Sequence, residues 1–370
     1  MKLLIIAGER SGDMHAARVA ERLRLRNPRI ELIAAGGDFL KEAGVQVKLR
    51  YENFSSMGIT TLVTSWVRVA RTVRLLKRLI AKEQPDAILL VDFSSINLIL
   101  ARHAKKRGIQ IYYYIAPKVW AWKKHRLKRL RNDLDNLMVV LPFEKEFFES
   151  HGIAAHYVGS PVLEHIRKHN FEDDQIVDTD HTNIALLLGS RVSEIHTTAR
   201  IIHEVIEEQP TWFFHIASVS SVPFTSYAGF DTYENVIIHK EKTYELLKLC
   251  NAAVVVSGTA TLEAALLNIP QVVIYRTNWI SFQVAKRMIT IQFVSLVNLI
   301  LGKSLVQELI QGTCTSEKIT SELVKMLNDS AYCATMLEGY QEVREKLGNE
   351  IASNNVAEAI LEANDKLSSP

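Results

Sequence analysis

Cysteine is scarce in this sequence: Cys250, Cys314 and Cys333 are the three in a chain of 370 residues. None stands in a CxxC pair or a Cys/His spacing. That excludes a disulfide framework and a zinc knuckle, and it suits a reducing cytoplasm. Long apolar runs are missing too. A membrane span needs about 18 apolar residues, and the best candidate, AILLVDFSSINLILA, is broken by Asp92. The short apolar start runs into Glu9 and Arg10, so no secretion signal is expected. There is no GxGxxG and no Walker loop, hence no expectation of dinucleotide or P-loop chemistry. No Ser/His/Asp spacing appears, and the twelve histidines are scattered, with no metal cluster and no cofactor expected.

Acids are absent from one long stretch. Between Phe93 and Asn132 there is none, against eleven Lys or Arg. The net charge of +3 hides a division: residues 1–165 hold 28 basic and 16 acidic residues, a charge of +12, and the remainder carries −9. The first half is expected to meet something anionic.

What is present alternates. KLLIIA, IELIAA, DAILLVDF, IQIYYYIA and LDNLMVVL read as strands in the first half, separated by helical patterns starting near Asp13, Trp66, Asn97 and Phe143. NIALLLGSR, TWFFHIAS, NVIIHK, AAVVVSG and QVVIYR repeat the logic, with helices over SEIHTTARIIHEVIEE, YELLKLC, TATLEAALLN and SFQVAKRMI. Such alternation predicts an α/β chain with mainly parallel sheets. The polar stretch 169–183 is the expected junction, giving domains 1–168 and 169–345, with a last helical segment 346–370.

Each polar cluster follows a predicted strand, where open α/β sheets bind ligands. GERSGD, residues 8–13, carries Glu9, Ser11 and Asp13, more polar equipment than a turn requires. A capped tight turn accounts for part of it; close approach of a ligand accounts for the rest. Asp92 ends an apolar strand, where partial desolvation would make it a better base, although a helix cap is the commoner fate of such a residue. In LLLGSRVSEI, Gly189, Ser190 and Arg191 precede a helix whose N-terminus could grip a diphosphate, unless Ser193 merely caps that helix and Arg191 is solvated. In VSGTATLEAALL, Ser257, Gly258 and Thr259 do the same, and Glu263 is either a capping residue or a partner for a ribose diol.

Residues 66–82 have a helical period. Trp66, Val69, Val73, Leu76 and Ile80 share one face, and Arg68, Arg71, Arg74, Arg78 and Lys82 the other. The helix either packs on its own core or lies at an anionic membrane surface, with Leu62, Val63, Trp66, Val69 and Val73 facing the membrane. The aromatic and basic run YYYIAPKVWAWKKHRLKRLR could also hold nucleic acid, but no recognition element accompanies it, so no specific nucleic-acid partner is expected.

In order, AGERSGD, MGI, VDFSSIN, YYIAPKVWAW, LPFEKEFF, YVGSPVLE, LGSRVSEI, VSGTATLEAALLNIPQVVIYR and VSLVNLILGKSLVQELIQ resemble the lipid-A-disaccharide synthases. The combination of GE-x-SGD, P-x-VWAW and LPFE carries the likeness; SGT-x-x-LE is shared more widely among nucleotide-sugar enzymes. The resemblance implies a GT-B fold, two Rossmann-like domains facing a cleft, with the last helix returning to the first domain. It implies transfer of diacylglucosamine from its UDP derivative to the 6-hydroxyl of diacylglucosamine 1-phosphate, with inversion, no metal, and peripheral association with the cytoplasmic face of the inner membrane. It admits a homodimer. By resemblance Asp92 is the base, Arg191 stabilises leaving UDP, Glu9, Ser11 and Asp13 form an acceptor-side loop, and Ser257, Thr259, Glu263 and Asn298 belong to donor-side loops. The family pattern D-x-P-D-F-N reads Asp92-Phe93-Ser94-Ser95-Ile96-Asn97 here, so the second acid is missing and a two-carboxylate mechanism is not expected. P-G-S-R and S-L-P-N likewise read Leu188-Gly189-Ser190-Arg191 and Ser295-Leu296-Val297-Asn298. A UDP-sugar 2-epimerase of the same fold is the alternative reading.

Overall fold

The computed structural model describes residues 1–53, 62–121, 126–169, 171, 181–278, 282–283 and 291–368. They form two compact units, Met1–Pro161 with Asn349–Pro370, and Val162–Gly348.

In the first unit, β1 (Lys2–Ala7), β2 (Glu31–Gly36), β3 (Gln46–Arg50), β4 (Ala87–Val91), β5 (Gln110–Tyr114), β6 (Asn136–Val139) and β7 (Ala155–Tyr157) make one sheet. The order is β3-β2-β1-β4-β5-β6-β7, parallel throughout, with Leu3 opposite Leu32 on one side and Ala87 on the other. Successive crossovers run one way from β1 to β3 and the other way from β4 to β7, so the strand order reverses between β1 and β4. Helices α1 (Arg10–Arg26), α2 (Asp38–Glu42), α3 (Leu62–Glu83), α4 (Ser94–Lys105), α5 (Leu127–Asp133) and α6 (Pro142–Glu149) connect the strands.

Central strands are apolar on both faces because both are covered. Leu4 and Ile6 enter a core with Leu76, Ile80, Ile96 and Leu100. Leu3 and Ile5 enter the opposite core with Val19, Leu23 and, from the end of the chain, Val356 and Ile360. The latter belong to the last helix, Ala352–Ser368, and Tyr112 donates its hydroxyl to the Ile360 carbonyl at 3.4 Å. Edge strand β3 instead alternates exposed and half-buried residues, and its polar sequence QVKLR hid it from the sequence reading. Strand β7 escaped because it is three residues long.

Helix α7 (Pro161–Lys168) leads into the second unit, which contains β8 (Thr182–Leu187), α8 (Val192–Glu208), β9 (Trp212–Ser218), β10 (Val236–Lys240), α9 (Thr243–Leu249), β11 (Ala252–Val256), α10 (Thr259–Leu266), β12 (Gln271–Tyr275), α11 (Leu296–Leu301), β13 (Glu308–Ile310), α12 (Ser316–Asn328) and α13 (Ser330–Leu347); α14 is the last helix named above. Its sheet has the order β10-β9-β8-β11-β12-β13, again parallel, and reverses between β8 and β11. Residues 224–227 and 230–232 form short 3-10 turns. The helix expected over 281–289 lies almost wholly outside the described residues.

Candidate functional site

The predicted site residues of the first unit gather at the reversal between β1 and β4. Gly8 follows β1 and lies under the Phe93 ring: a Cβ there would sit 2.5 Å from ring carbons, so the close approach requires glycine. The loop carrying Glu9 and the loop carrying Asp92 are thereby in contact. Glu9 precedes α1 in extended backbone with no side-chain bond to the helix start. Ser11 is exposed, and the Arg10 guanidinium lies 5.3 Å over the Phe39 ring. Asp92 is partly buried with φ +32, and its N–H donates to the Tyr114 carbonyl at 3.3 Å. At the end of β5, Ile115 has φ +63. A β-branched residue in the left-handed region is strained, and such strain collects at functional sites.

Asp13 is set apart from its neighbours in the loop. It has no solvent exposure, and it accepts the N–H groups of Gly37 at 2.6 Å and Phe39 at 3.0 Å. Burial pushes its pKa up, and the N–H donors oppose that. Its carboxylate ties α1 to the loop after β2.

Glu144 had no assigned role in the sequence reading. It is buried and accepts Trp120 Nε1–H at 2.9 Å, Leu141 N–H at 3.0 Å and Val140 N–H at 3.2 Å. The VWAW and LPFE motifs are therefore one assembly across the ends of β5 and β6, with Trp120 edge-on to Phe143 at 5.0 Å. The signal was a glutamate three residues into a helix, the position that caps its own N-terminus. Trp122 lies outside the described residues.

The second unit repeats the placement at the reversal between β8 and β11. Gly189 has φ +101, and a Cβ there would meet the Glu194 carboxylate at 2.4 Å. That carboxylate accepts the N–H groups of Ser190 at 2.9 Å and Arg191 at 3.2 Å, and pairs with the Arg191 guanidinium at 2.8 Å. Glu194, absent from the sequence reading, already fills part of the anion-binding capacity of the loop. The Arg191 side chain remains 64% exposed.

After β11, Ser257 donates to the Val294 carbonyl at 2.7 Å, and Thr259 is exposed at the start of α10, beside Gly258. Glu263 is partly buried; burial raises its pKa while the Tyr244 hydroxyl, donating at 3.0 Å, lowers it. Asn298 is fully buried. Its amide donates to Val306 O and Glu308 and accepts from the N–H groups of Leu305 and Val306, so its side chain clamps a loop. Glu308 also accepts Val294 N–H and Ser295 N–H, both at 2.9 Å.

Helix α3 corrects one expectation. Val69 and Val73 pack inward on the first unit's core beside buried Leu76 and Ile80, so they face protein. The reason is ordinary amphipathicity: the basic face is the solvated one. The side chains of Leu62, Val63 and Trp66 lie outside the described residues, as do residues 57–59. Among the described residues no helix is long and apolar enough to cross a membrane, and no three His, Cys, Asp or Glu residues gather as a metal-holding group.

The sequence model of the lipid-A-disaccharide synthetase family matches residues 3–363. The chain belongs to that family. Lipid-A-disaccharide synthases of Geobacter sulfurreducens and Myxococcus xanthus are 33% and 34% identical to it, each comparison covering 98% of this chain and 97% of the relative. Among solved structures it is similar to the glycotransferase of kitacinnamycin (TM-score 0.67, 13% identity, 98% of each chain). It is also similar to UDP-GlcNAc 2-epimerase from Neisseria meningitidis bound to UDP-GlcNAc (TM-score 0.64, 14% identity, 99% of this chain and 100% of that one). At such identities the structures show the shared GT-B architecture, and the lipid-A-disaccharide synthase family is set by the sequence matches.

Proposed function

We propose that the protein joins UDP-2,3-diacylglucosamine to 2,3-diacylglucosamine 1-phosphate, forming the β-1,6 disaccharide 1-phosphate and UDP. The observation that carries this reading is family membership over residues 3–363 together with two polar loop sets, each at the reversal point of a parallel sheet. In the proposed reaction the Asp92 carboxylate takes the proton from the acceptor 6-hydroxyl as that oxygen attacks the donor's anomeric carbon. The bond from that carbon to the diphosphate breaks, and UDP leaves with the electron pair. Attack opposite the leaving group inverts the centre. One base suffices for a single displacement, which suits Ser95 at the place of the family's second acid.

Arg191, together with Gly189 and Ser190, meets the departing diphosphate; the guanidinium exchanges Glu194 for phosphate, supported by N–H groups of the first turns of α8 and α10. Ser257, Gly258 and Thr259 contribute to the same grip. Glu263, held by Tyr244, takes the ribose diol. Glu9 and Ser11 contact the acceptor sugar, whereas Asp13 and Asn298 act by holding loops in shape. The reaction takes place with the protein attached peripherally to the inner membrane.

The test is product formation from the two acylated substrates. Disaccharide and UDP should appear together and only when acceptor is present. Turnover of an unacylated UDP-sugar without acceptor would replace this reading with epimerisation.

A further inference from the structure

We propose that the groove between α3 and α4 binds the anionic headgroup of a membrane phospholipid, at a site separate from the reaction centre. This rests on the membrane-surface part of the function proposed above. The groove has a volume of about 500 Å³, and its lining includes Arg74, Lys77 and Arg78 from α3, His103 near the end of α4 and Arg107 just beyond it. Positions 74, 77, 78 and 81 recur every three or four residues, so one face of α3 supplies that wall.

No acid lines this groove. The nearest acid on α3, Glu83, is taken by Lys2 at 2.9 Å and Lys48 at 4.0 Å. Asp135, beyond α4, is taken by Lys105. Arg74, Lys77, Arg78 and Arg107 make no ion pair with a carboxylate among the described residues. Arg107 turns instead to His103, lying 3.1 Å from Nδ1 and donating to the carbonyl at 3.3 Å. The other ring nitrogen, Nε2, is buried with no hydrogen-bond partner. Burial and the cations Arg107, Lys77 and Lys106 together depress the imidazole's pKa. Uncompensated like charges in one groove repel, and an arriving anion relieves that repulsion.

The rest of the lining selects the kind of anion. Ala70 and Ala81, with the edge of Val73 that its packing on the core leaves uncovered, lie among the cations, an apolar floor suited to the glycerol and upper acyl carbons of a lipid. No Phe, Tyr or Trp lines the groove, so the broad stacking platform that single-stranded nucleic acid uses is missing. Val67, 68% exposed, extends the apolar surface along the same helix. The site is distinct from the Asp92 loop: His103 lies nine residues along α4 from Ser94, roughly 14 Å at the helical rise.

The experiment is sedimentation of the full chain with vesicles of phosphatidylcholine alone or with about a third phosphatidylglycerol. Binding should require the anionic lipid. Arg74→Gln with Arg78→Gln should weaken it about tenfold, whereas Arg129→Gln with Arg131→Gln on α5, an equal loss of charge, should weaken it less than about twofold. Equal losses, or no loss in the groove pair, overturn the proposal. Thermal unfolding of each variant reports whether it is folded. A second readout needs no variant: the His103 ring resonances should shift with dihexanoyl phosphatidylglycerol and not with glycerol phosphate or inorganic phosphate. An equal shift with the free phosphates makes the occupant a soluble phosphate and overturns the lipid. Tighter binding of an oligoribonucleotide than of vesicles, lost in the groove pair, overturns it in favour of RNA. Disaccharide synthesis from detergent-dispersed substrates is read separately, so either result can fail while the other stands.

Discussion

The two units share a topology and differ in where their backbone and polar groups are left uncomfortable. In the first sheet the non-glycine residues with positive φ at strand ends, Asp92 and Ile115, follow the central strands β4 and β5. In the second sheet such residues, Glu241 and Gln311, follow the edge strands β10 and β13, and the central loops are held by carboxylates instead. Buried amides differ in the same sense. Asn97, one turn into α4 from the Asp92 loop, has neither amide atom bonded. In the second unit the Asn183 amide oxygen accepts from the buried His215 Nε2 at 2.8 Å, and His215 Nδ1 in turn meets His239 Nε2 at 3.0 Å. Gln271 there leaves its oxygen unpaired, but its nitrogen bonds Thr261 O and Tyr340. The lesson is a division of labour: strain surrounds the proposed base, whereas the proposed nucleotide loops are satisfied before any ligand arrives.

The largest expected effect tests the first half of that contrast. Asp92→Asn should lower kcat about a thousandfold in the disaccharide assay while the thermal unfolding temperature stays near that of the parent, because asparagine tolerates a positive φ as aspartate does but cannot take up the proton. Equal activity in both proteins removes Asp92 as the base.

Next comes acid sensitivity of the second unit. Burial, then His239, depresses the His215 pKa from 6.5 to about 4. The unfolded chain therefore binds a proton that the folded one refuses. The stability from neutral His215 is complete above pH 6.5 and is lost as pH falls toward 4, by about 3 kcal/mol in total. His239 is depressed as well, with the same sign. Denaturant titrations across that window should show the slope, and His215→Gln should flatten it. A slope unchanged by the substitution assigns the acid sensitivity elsewhere.

Gly8→Ala should cost about 2 kcal/mol, since the added carbon displaces Phe93 and with it the Asp92 loop. Activity should fall further than stability predicts; a variant with parental melting and parental kcat would show that the two loops need no contact. The smallest effect is the sharpest. Asn97→Leu should leave stability unchanged or raise it by about 1 kcal/mol, because an orphaned buried amide is removed. If Asn97 serves the reaction centre, kcat falls nonetheless. A stability loss with unchanged kcat would make it a packing residue.

Much of this was readable in the chain before any tertiary contact was known. The buried parallel strands appeared as apolar runs, and Asp92, Arg191 and the 257–263 loop stood out because charge interrupts such runs at strand ends. Strands β3, β7 and β13 did not, being polar at an edge or three residues long. Glu144, Glu194, Tyr244 and Glu308 were also missed, since each owes its role to donors brought to it by folding.

Order along the chain thus determined the fold class, the charge division and the family, because hydrophobic period and motif sequence are local properties. Which polar residues are spent inside the protein was decided only by the tertiary structure. Glu9 and Asp13 are equivalent on paper. Folding buries Asp13 against the Gly37 and Phe39 N–H groups and leaves Glu9 at the loop, and it turns Val69 and Val73 inward so that the basic face of α3 looks out. A carboxylate's task is set by the donors it meets, and those lie 24 and 26 residues away along the chain.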